Sequence, residues 1–331
     1  MNPPKCSELD YIHFLIAAQK VFSSVEASNT HPATENAPAH DAYTRLLQRL
    51  PPDSQALWQE VRGCIELQGG MLVIDDSTLD KPYASKMALV TQHWSGKHGR
   101  VVQGINLISL VWRHGSSCLP CDFRLYHKAQ DGLSKNDHFQ QMIQTAKERG
   151  FRAALVAFDS WYASLDNLKL VRRQEWNWLT QLQSNRQVSI DRSGNRAIRE
   201  ILIPAEGRAV HLKGYGWIKV FKTIGTNGDF EYWATSQLDM TLEQVAFYAL
   251  DAWQVEVYHR GLKQFTGVER AQFRLEVSQR NHIGLAIRAF VRLEVHRLRT
   301  GVSWHKTKAS IIHSAIRAYL AHPTVTLGTT A

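Results

Sequence analysis

Residues 71–78, M-L-V-I-D-D-S-T, and residues 153–159, A-A-L-V-A-F-D, decide how this chain is read. Each is a short apolar run that breaks off in acid. Continuous apolar runs of this length suit strands buried on both faces. A carboxylate beside such a core is costly unless it is solvated, paired or bound to metal. Both runs are therefore expected to be central strands whose C-terminal ends carry function. Working outward, V-V-Q-G-I-N-L-I-S-L-V-W-R-H-G (101–115) and C-L-P-C-D-F-R-L-Y (118–126) read as further strands joined by a turn at 114–117. K-N-D-H-F-Q-Q-M-I-Q-T-A-K-E-R-G (135–150) reads as a helix stopped by Gly150, S-L-D-N-L-K-L-V-R-R-Q (164–174) as a second helix, and W-N-W-L-T-Q-L-Q (176–183) as another strand.

Three strands, helix, strand, helix, strand is the order of an α/β fold with an RNase H-like mixed sheet flanked by helices. On that frame, residues 69–183 are expected to form the first part of a catalytic core and residues 238–331 its second part with C-terminal helices. Between them, 184–237 reads as a β-rich insertion, carrying V-H-L-K-G-Y-G-W-I-K-V-F-K-T-I (210–224) and F-E-Y-W-A-T-S (230–236). Helical periodicity returns at 241–265 and at 281–299, where Ile283, Ile287, Phe290, Val291 and Leu298 make an apolar face. Before the sheet, residues 1–68 read as a helical N-terminal domain. A helix over 9–22 shows Tyr11, Phe14, Leu15 and Ala18 on one side, and a Ser-, Thr-, Asn- and Pro-rich stretch from Ser23 reads as loop. Asp41 is placed to cap a helix through Tyr43, Leu46 and Leu47, and 54–67 is a further helical stretch after Pro51-Pro52. This domain suits DNA binding through a helix-turn-helix and simple packing equally well. The tail H-P-T-V-T-L-G-T-T-A is expected to fray.

The chain has 331 residues, 39 Lys and Arg against 30 Asp and Glu, and a formal net charge of +9. That length predicts two domains, or one large domain with an insertion. Hydrophobic residues at 44% and charged residues at 21% exclude wholesale disorder. No apolar run is long enough for a spanning helix, and M-N-P-P-K-C-S-E-L-D lacks the basic and apolar regions of a secretion signal, so a cytoplasmic, nucleoid-associated protein is expected. A basic balance points to an anionic partner, nucleic acid first and a membrane surface second. No phosphate-cradling P-loop occurs, and the 15 His form no His-hydrophobic-His nuclease motif. Cys118 and Cys121 have the spacing of a zinc half-site or redox pair, but no second ligand pair accompanies them, and buried reduced thiols are the better reading. H-W-S-G-K-H-G-R (93–100) reads as a solvated hairpin before a basic turn on DNA, and Trp217 and Trp233 as strand packing before base stacking.

Three acidic positions could carry chemistry. Asp75 and Asp76 are adjacent, and strand alternation sends them to opposite faces, so one of them points at a given metal. Asp159 ends the second apolar run. Glu256 falls in W-Q-V-E-V-Y-H-R-G-L-K, where Trp253, Glu256, Arg260 and Lys263 share one helical face. Singly, each has a structural role open to it: Asp159 as a helix cap, Glu256 as the partner of Arg260. Together, two strand-end acids and one from a late helix can converge on Mg2+ or Mn2+, hard cations that prefer carboxylate oxygen. Two such ions can activate a water or a 3′-hydroxyl against a phosphodiester, and the basic surplus then serves to hold DNA phosphates.

V-I-D-D-S-T-L-D-K-P-Y-A, A-L-V-A-F-D-S-W-Y-A-S-L-D-N-L-K-L-V and W-Q-V-E-V-Y-H-R-G-L-K-Q-F-T-G-V-E-R-A-Q-F-R resemble the bacterial insertion-sequence transposases of the DDE, RNase H-like superfamily, in the branch with a β insertion between the second Asp and the Glu. The resemblance spans about residues 70–299. It implies Asp76, followed by the hydroxyl residues Ser77 and Thr78, as the first metal ligand, with Asp75 the alternative. It implies Asp159, with Tyr162 three residues on, as the second, and Glu256 as the third. Lys263 is implied to contact DNA phosphate, assisted by Arg260. The chain departs from the branch at Ala249 and Ala252, where Tyr and Arg are usual, and at Trp161, where Gly is usual. A hairpin pathway is not carried over.

The function so implied is a DNA transposase. It would bind the terminal inverted repeats of its element and target DNA as a dimer or larger complex, cleave with a two-metal mechanism and transfer strands. The alternatives are a catalytically inactive, transposase-derived DNA-binding protein and an RNase H-like nuclease without strand transfer.

Overall fold

The computed structural model describes residues 4–95, 99–225 and 227–325. The centre of the 93–100 segment and the last six residues, both read above, lie outside the described residues. The chain forms two compact units, Met1–Asp53 with Ala84–Ala88 and Arg260–Ala331, and Ser54–Tyr83 with Leu89–His259.

The second unit is built on a nine-stranded sheet. Its strands are β1 (Met71–Asp80), β2 (Thr91–Ser95), β3 (Arg100–His114), β4 (Ser117–Tyr126), β5 (Leu155–Phe158) and β6 (Asn177–Leu182). A short pair, β7 (Gln187–Val188) and β8 (Arg196–Ala197), stands apart, and β9 (Arg208–Leu212), β10 (Gly216–Ile224) and β11 (Phe230–Thr235) complete the sheet. The order is β2-β3-β1-β5-β6-β11-β10-β9, with β4 also on β3. β1 runs antiparallel to β3 and parallel to β5, and β5 runs parallel to β6. The part made of β4, β3, β1, β5 and β6 thus has the arrangement expected from the element order. The β-rich segment is no separate layer: β11 pairs antiparallel with β6, and β10 and β9 extend the same sheet as a meander.

Helices cover the sheet where its side chains are apolar. Within this unit α4 (Gln55–Val61), α5 (Lys128–Asp131), α6 (Lys135–Glu148), α7 (Leu165–Arg173), α8 (Leu242–Ala252) and the first half of α9 (Gln254–Phe265) follow in chain order. α6 starts at a capping box, Ser134 and Asp137 each bonding the other's backbone N–H, and buries Phe139, Met142, Ile143 and Ala146 at helical spacing. Its end is set by Gly150 at φ +89°. These side chains join Ile74, Ile108, Trp112, Phe158, Tyr162 and Trp178 in one core. α4 belongs here rather than with the N-terminal helices, because its Trp58 packs on Phe151 with ring centroids 5.6 Å apart.

The other unit is helical: α1 (Glu8–Ala17), α2 (Ser24–Asn29), α3 (His40–Arg49), the second half of α9, α10 (Glu276–Thr300) and α11 (Trp304–Ala321). α10 is its axis. The Tyr11 hydroxyl and His282 Nδ1 lie 3.0 Å apart, and Asn281 Nδ2 donates to the carbonyls of Leu47 and Leu50, both at 2.8 Å. These bonds tie α1 and α3 to α10, so the chain from Arg260 onward sits with the N-terminal helices and not in the sheet unit. Three local expectations change. The stretch read as loop contains α2, capped by Ser23. Asp41 is not the cap of α3: Ala39 holds that position, and Asp41 sits in the first turn, 2.6 Å from Arg45. The helix read over 241–265 is two helices, broken at Trp253. Among the described residues, no helix is long and apolar enough to cross a membrane.

Gly70 leads into β1 where no side chain fits. A Cβ there would stand 2.4 Å from the buried Trp112 ring and 2.6 Å from the Arg113 carbonyl oxygen. Gly70→Ala is expected to cost about 1–3 kcal/mol, as overpacking does, read as a lower midpoint of urea unfolding. An unchanged midpoint would show that the strand can shift away from Trp112.

Candidate active site

β1 carries its two acids in mid-strand. Against β3, Asp75 lies opposite Ser109 and Asp76 opposite Ile108. On the other edge the last pair with β5 is Ile74 with Phe158, so β5 ends beside Asp75 and Asp159 is the first residue beyond it. Because β1 continues to Asp80, both acids lie inside a ladder and alternate strictly.

Asp75 faces α9. One donor atom each from Asp75, Glu256 and His259 lie within 4.8 Å of one another. Asp75 and Glu256 line, with Asp159, Trp233 and Trp253, a cleft of about 220 Å³. Burial, then repulsion from Asp76, Glu256 and Asp159, pushes the Asp75 carboxyl well above the usual range. Asp159 is exposed; its carboxylate accepts from Ser160 Oγ at 2.8 Å and from the Trp161 N–H at 3.2 Å, and it caps the turn at Ser160–Tyr162. The capping role read from sequence and a place in the cleft are thus compatible.

Glu256 is positioned by the break between α8 and α9. Arg113, almost fully buried on β3, donates through Nε to Asp251 at 3.0 Å, and the Cys118 thiol donates to the Gln254 carbonyl at 3.7 Å. These contacts hold the chain on both sides of Trp253, and Glu256 follows in the first turn of α9. Cys118 and Cys121 are buried thiols on β4, and burial pushes the Cys121 thiol up.

Asp76 points the other way. Its carboxylate accepts from Asn106 Nδ2 at 2.7 Å, Lys135 Nζ at 2.8 Å and the Tyr162 hydroxyl at 3.0 Å. Burial alone would raise its pKa, but the Lys135 charge and these three bonds outweigh burial and hold it below the usual range. The sequence preference for Asp76 over Asp75 is therefore not the grouping the fold makes: Asp75 stands with Glu256, and Asp76 is held by a cation and two neutral donors. His259 was missed altogether. The signal was present as E-x-x-H at helical i, i+3 spacing, Glu256 to His259, but that pattern is also common on packed helices. Arg260 and Lys263 continue α9 in the other unit, where Arg260 is exposed and Lys263 stands 3.7 Å from Glu269. Trp233 lines the cleft, whereas Trp217 meets His211 edge to face and lies beneath the Arg192 guanidinium.

Mutually repelling carboxylates beside an imidazole are a donor set that fits a divalent cation, whose charge would offset the repulsion felt by Asp75. A family model described as "DDE superfamily endonuclease" matches residues 14–197, and one described as "Archaeal putative transposase ISC1217" matches residues 131–306. No curated protein matches the chain. Among solved structures, a piggyBac transposase synaptic complex with hairpin DNA aligns over 98% of this chain and 74% of its own, at 13% identity and a TM-score of 0.55, a likeness of fold. A Drosophila P element transposase strand transfer complex aligns over 95% of this chain and 90% of its own at 10% identity, but its TM-score of 0.19 carries no argument.

The two adjacent acids should respond oppositely to neutralisation. Asp76, depressed in the folded state, contributes stability above the unfolded carboxyl pKa of about 3.9, and that stability is lost as pH falls through its folded value. Asp75, raised in the folded state, costs stability increasingly as pH rises from that same unfolded value through the folded one. In chelator at neutral pH, Asp76→Asn is expected to destabilise by about 1–3 kcal/mol and Asp75→Asn to stabilise. Urea unfolding between pH 3 and 8 measures both, and equal signs for the two variants would overturn the assignment of faces.

Proposed function

The chain belongs to the DDE superfamily of endonucleases and transposases, and from that premise we propose that it cleaves DNA at the ends of an insertion sequence and joins those ends to target DNA. The observation that carries this reading is the meeting of Asp75, Asp159 and Glu256 in one cleft.

In this reading Asp75, Asp159 and Glu256 hold divalent cations, Mg2+ or Mn2+. When bound, such ions supply the charge that activates a water or 3′-hydroxyl and stabilises the leaving oxygen of a phosphodiester. The chain's own residues do the rest. Asp75, fixed in a doubly paired strand, gives the rigid wall of the cleft. Glu256, at the start of a helix, gives the side that side-chain adjustment can close. Trp253 and Trp233 line the cleft, and their apolar surface would limit water around the reacting phosphate. Asp76 is assigned a supporting role, keeping Lys135 and Tyr162 on the opposite face. Arg260 and Lys263 are assigned to DNA phosphates, in keeping with the net charge of +9 and their place on the helix that carries Glu256 in its first turn. Terminal inverted repeats and target DNA are the proposed partners, bound by a dimer or larger assembly.

The test uses DNA carrying the inverted repeats that flank the coding sequence, with Mg2+ or Mn2+ present. The wild-type chain is expected to give cut ends and joined products. Asp75→Ala, Asp159→Ala and Glu256→Ala are each expected to reduce cutting to background while retaining end binding in a gel shift. Cutting that survives Asp159→Ala would sink the site, and cut ends without joined products would restrict the activity to that of a nuclease.

A further inference from the structure

His259 is 2% exposed and lies one helical turn after Glu256 on α9. Its Nδ1 stands 3.7 Å from Asp75 Oδ2, and its Nε2 stands 3.3 Å from Ser109 Oγ. Ser109 is the residue directly opposite Asp75 in the antiparallel pair of β1 and β3, so both side chains rise on the same face. The imidazole therefore has one nitrogen turned to the Ser109 hydroxyl and the other to the Asp75 carboxylate. Metal-bound histidines are built this way: the nitrogen that is not a ligand donates its hydrogen to a fixed oxygen, which sets the tautomer and the ring plane. Two donors on one small divalent ion stand about 3–4 Å apart, which brackets the Asp75–His259 separation.

We propose that His259, through Nδ1, is a third ligand of the cation held by Asp75 and Glu256, with Ser109 accepting the Nε2 hydrogen, and that this nitrogen tilts the site towards Mn2+ over Mg2+. Carboxylate and water suit both ions, whereas imidazole suits the transition metals and not Mg2+. Asp159, which lines the same cleft but is not in the group of three, leaves its oxygens for a second cation position. The proposal rests on reading Asp75 and Glu256 as cation ligands, and adds a residue that the acids alone do not supply.

The experiment is pulsed electron paramagnetic resonance on the untagged full chain with Mn2+ alone, and needs no DNA or turnover. Echo-envelope modulation from a directly bound nitrogen is expected in the wild type, changing to the 15N pattern when only histidine is 15N-labelled. The modulation is expected to vanish in His259→Gln, with Mn2+ binding weakened by at least about tenfold, on the scale seen when ligand support is lost. Ser109→Ala is expected to keep the modulation and weaken binding by about tenfold. Should His259→Gln fail to fold, the labelled wild type decides alone. Mn2+ that binds, is lost in Asp75→Asn, and shows no histidine nitrogen would overturn the role of His259 while leaving the carboxylate site standing. Mn2+ binding indifferent to Asp75→Asn, or absent, would overturn the carboxylate site and this proposal with it.

Discussion

β1 is hydrogen-bonded along both edges, to β3 on one side and β5 on the other, so its side chains have only two directions to take. Asp75 and Asp76 are neighbours in the chain and occupy opposite faces of the sheet in the fold. No local adjustment brings both to one cation without slipping the register, and a slip of one residue would turn the apolar side chains of β1 out of the core. The chemistry of the unit follows from that restriction. In the proposed site Asp75 serves the cation, while Asp76 is held by Lys135, Asn106 and Tyr162.

The electrostatics of the two faces are complementary. On Asp76's face a lysine, an amide and a phenol satisfy the charge, and the carboxylate is held ionised by them. On Asp75's face the neighbours are Glu256, Asp159, His259 and Ser109, and burial with carboxylate repulsion raises the Asp75 pKa there. Carboxylates that repel one another beside a buried imidazole are a donor set a divalent cation would steady. The first arrangement steadies β1 and α6; the second is what a cation-dependent endonuclease requires. Polar groups further out serve the same end: Arg113 and Cys118 fix the break at Trp253, and with it the first turn of α9.

Much of the sheet unit was legible in the sequence because its signals are local. Apolar runs, the 114–117 turn and the stop at Gly150 each depend on a few neighbouring residues. The short α2 in a Pro-rich stretch and the Ala39 start of α3 were not legible, since weak local helix signals there are overridden by packing, and the interruption at Trp253 goes with contacts from the distant Arg113 and Cys118. The β-rich segment was recognised as strands, but its merging into the main sheet depends on the pairing of β11 with β6, a contact between distant segments.

By itself the sequence determined the class of fold, the acids worth weighing, the family resemblance and the expectation of a polyanionic partner, because composition, periodicity and motif spacing are properties of the chain. Tertiary structure decided which of Asp75 and Asp76 stands with Glu256, that His259 and Ser109 join them, and that the chain after Arg260 packs with the N-terminal helices. Those outcomes turn on the register of β1 against β3 and β5 and on the face that a helix more than a hundred residues later turns toward it. Alternation tells that two adjacent acids must part; only the partners waiting on each face tell which one meets Lys135 and which meets Glu256 and His259.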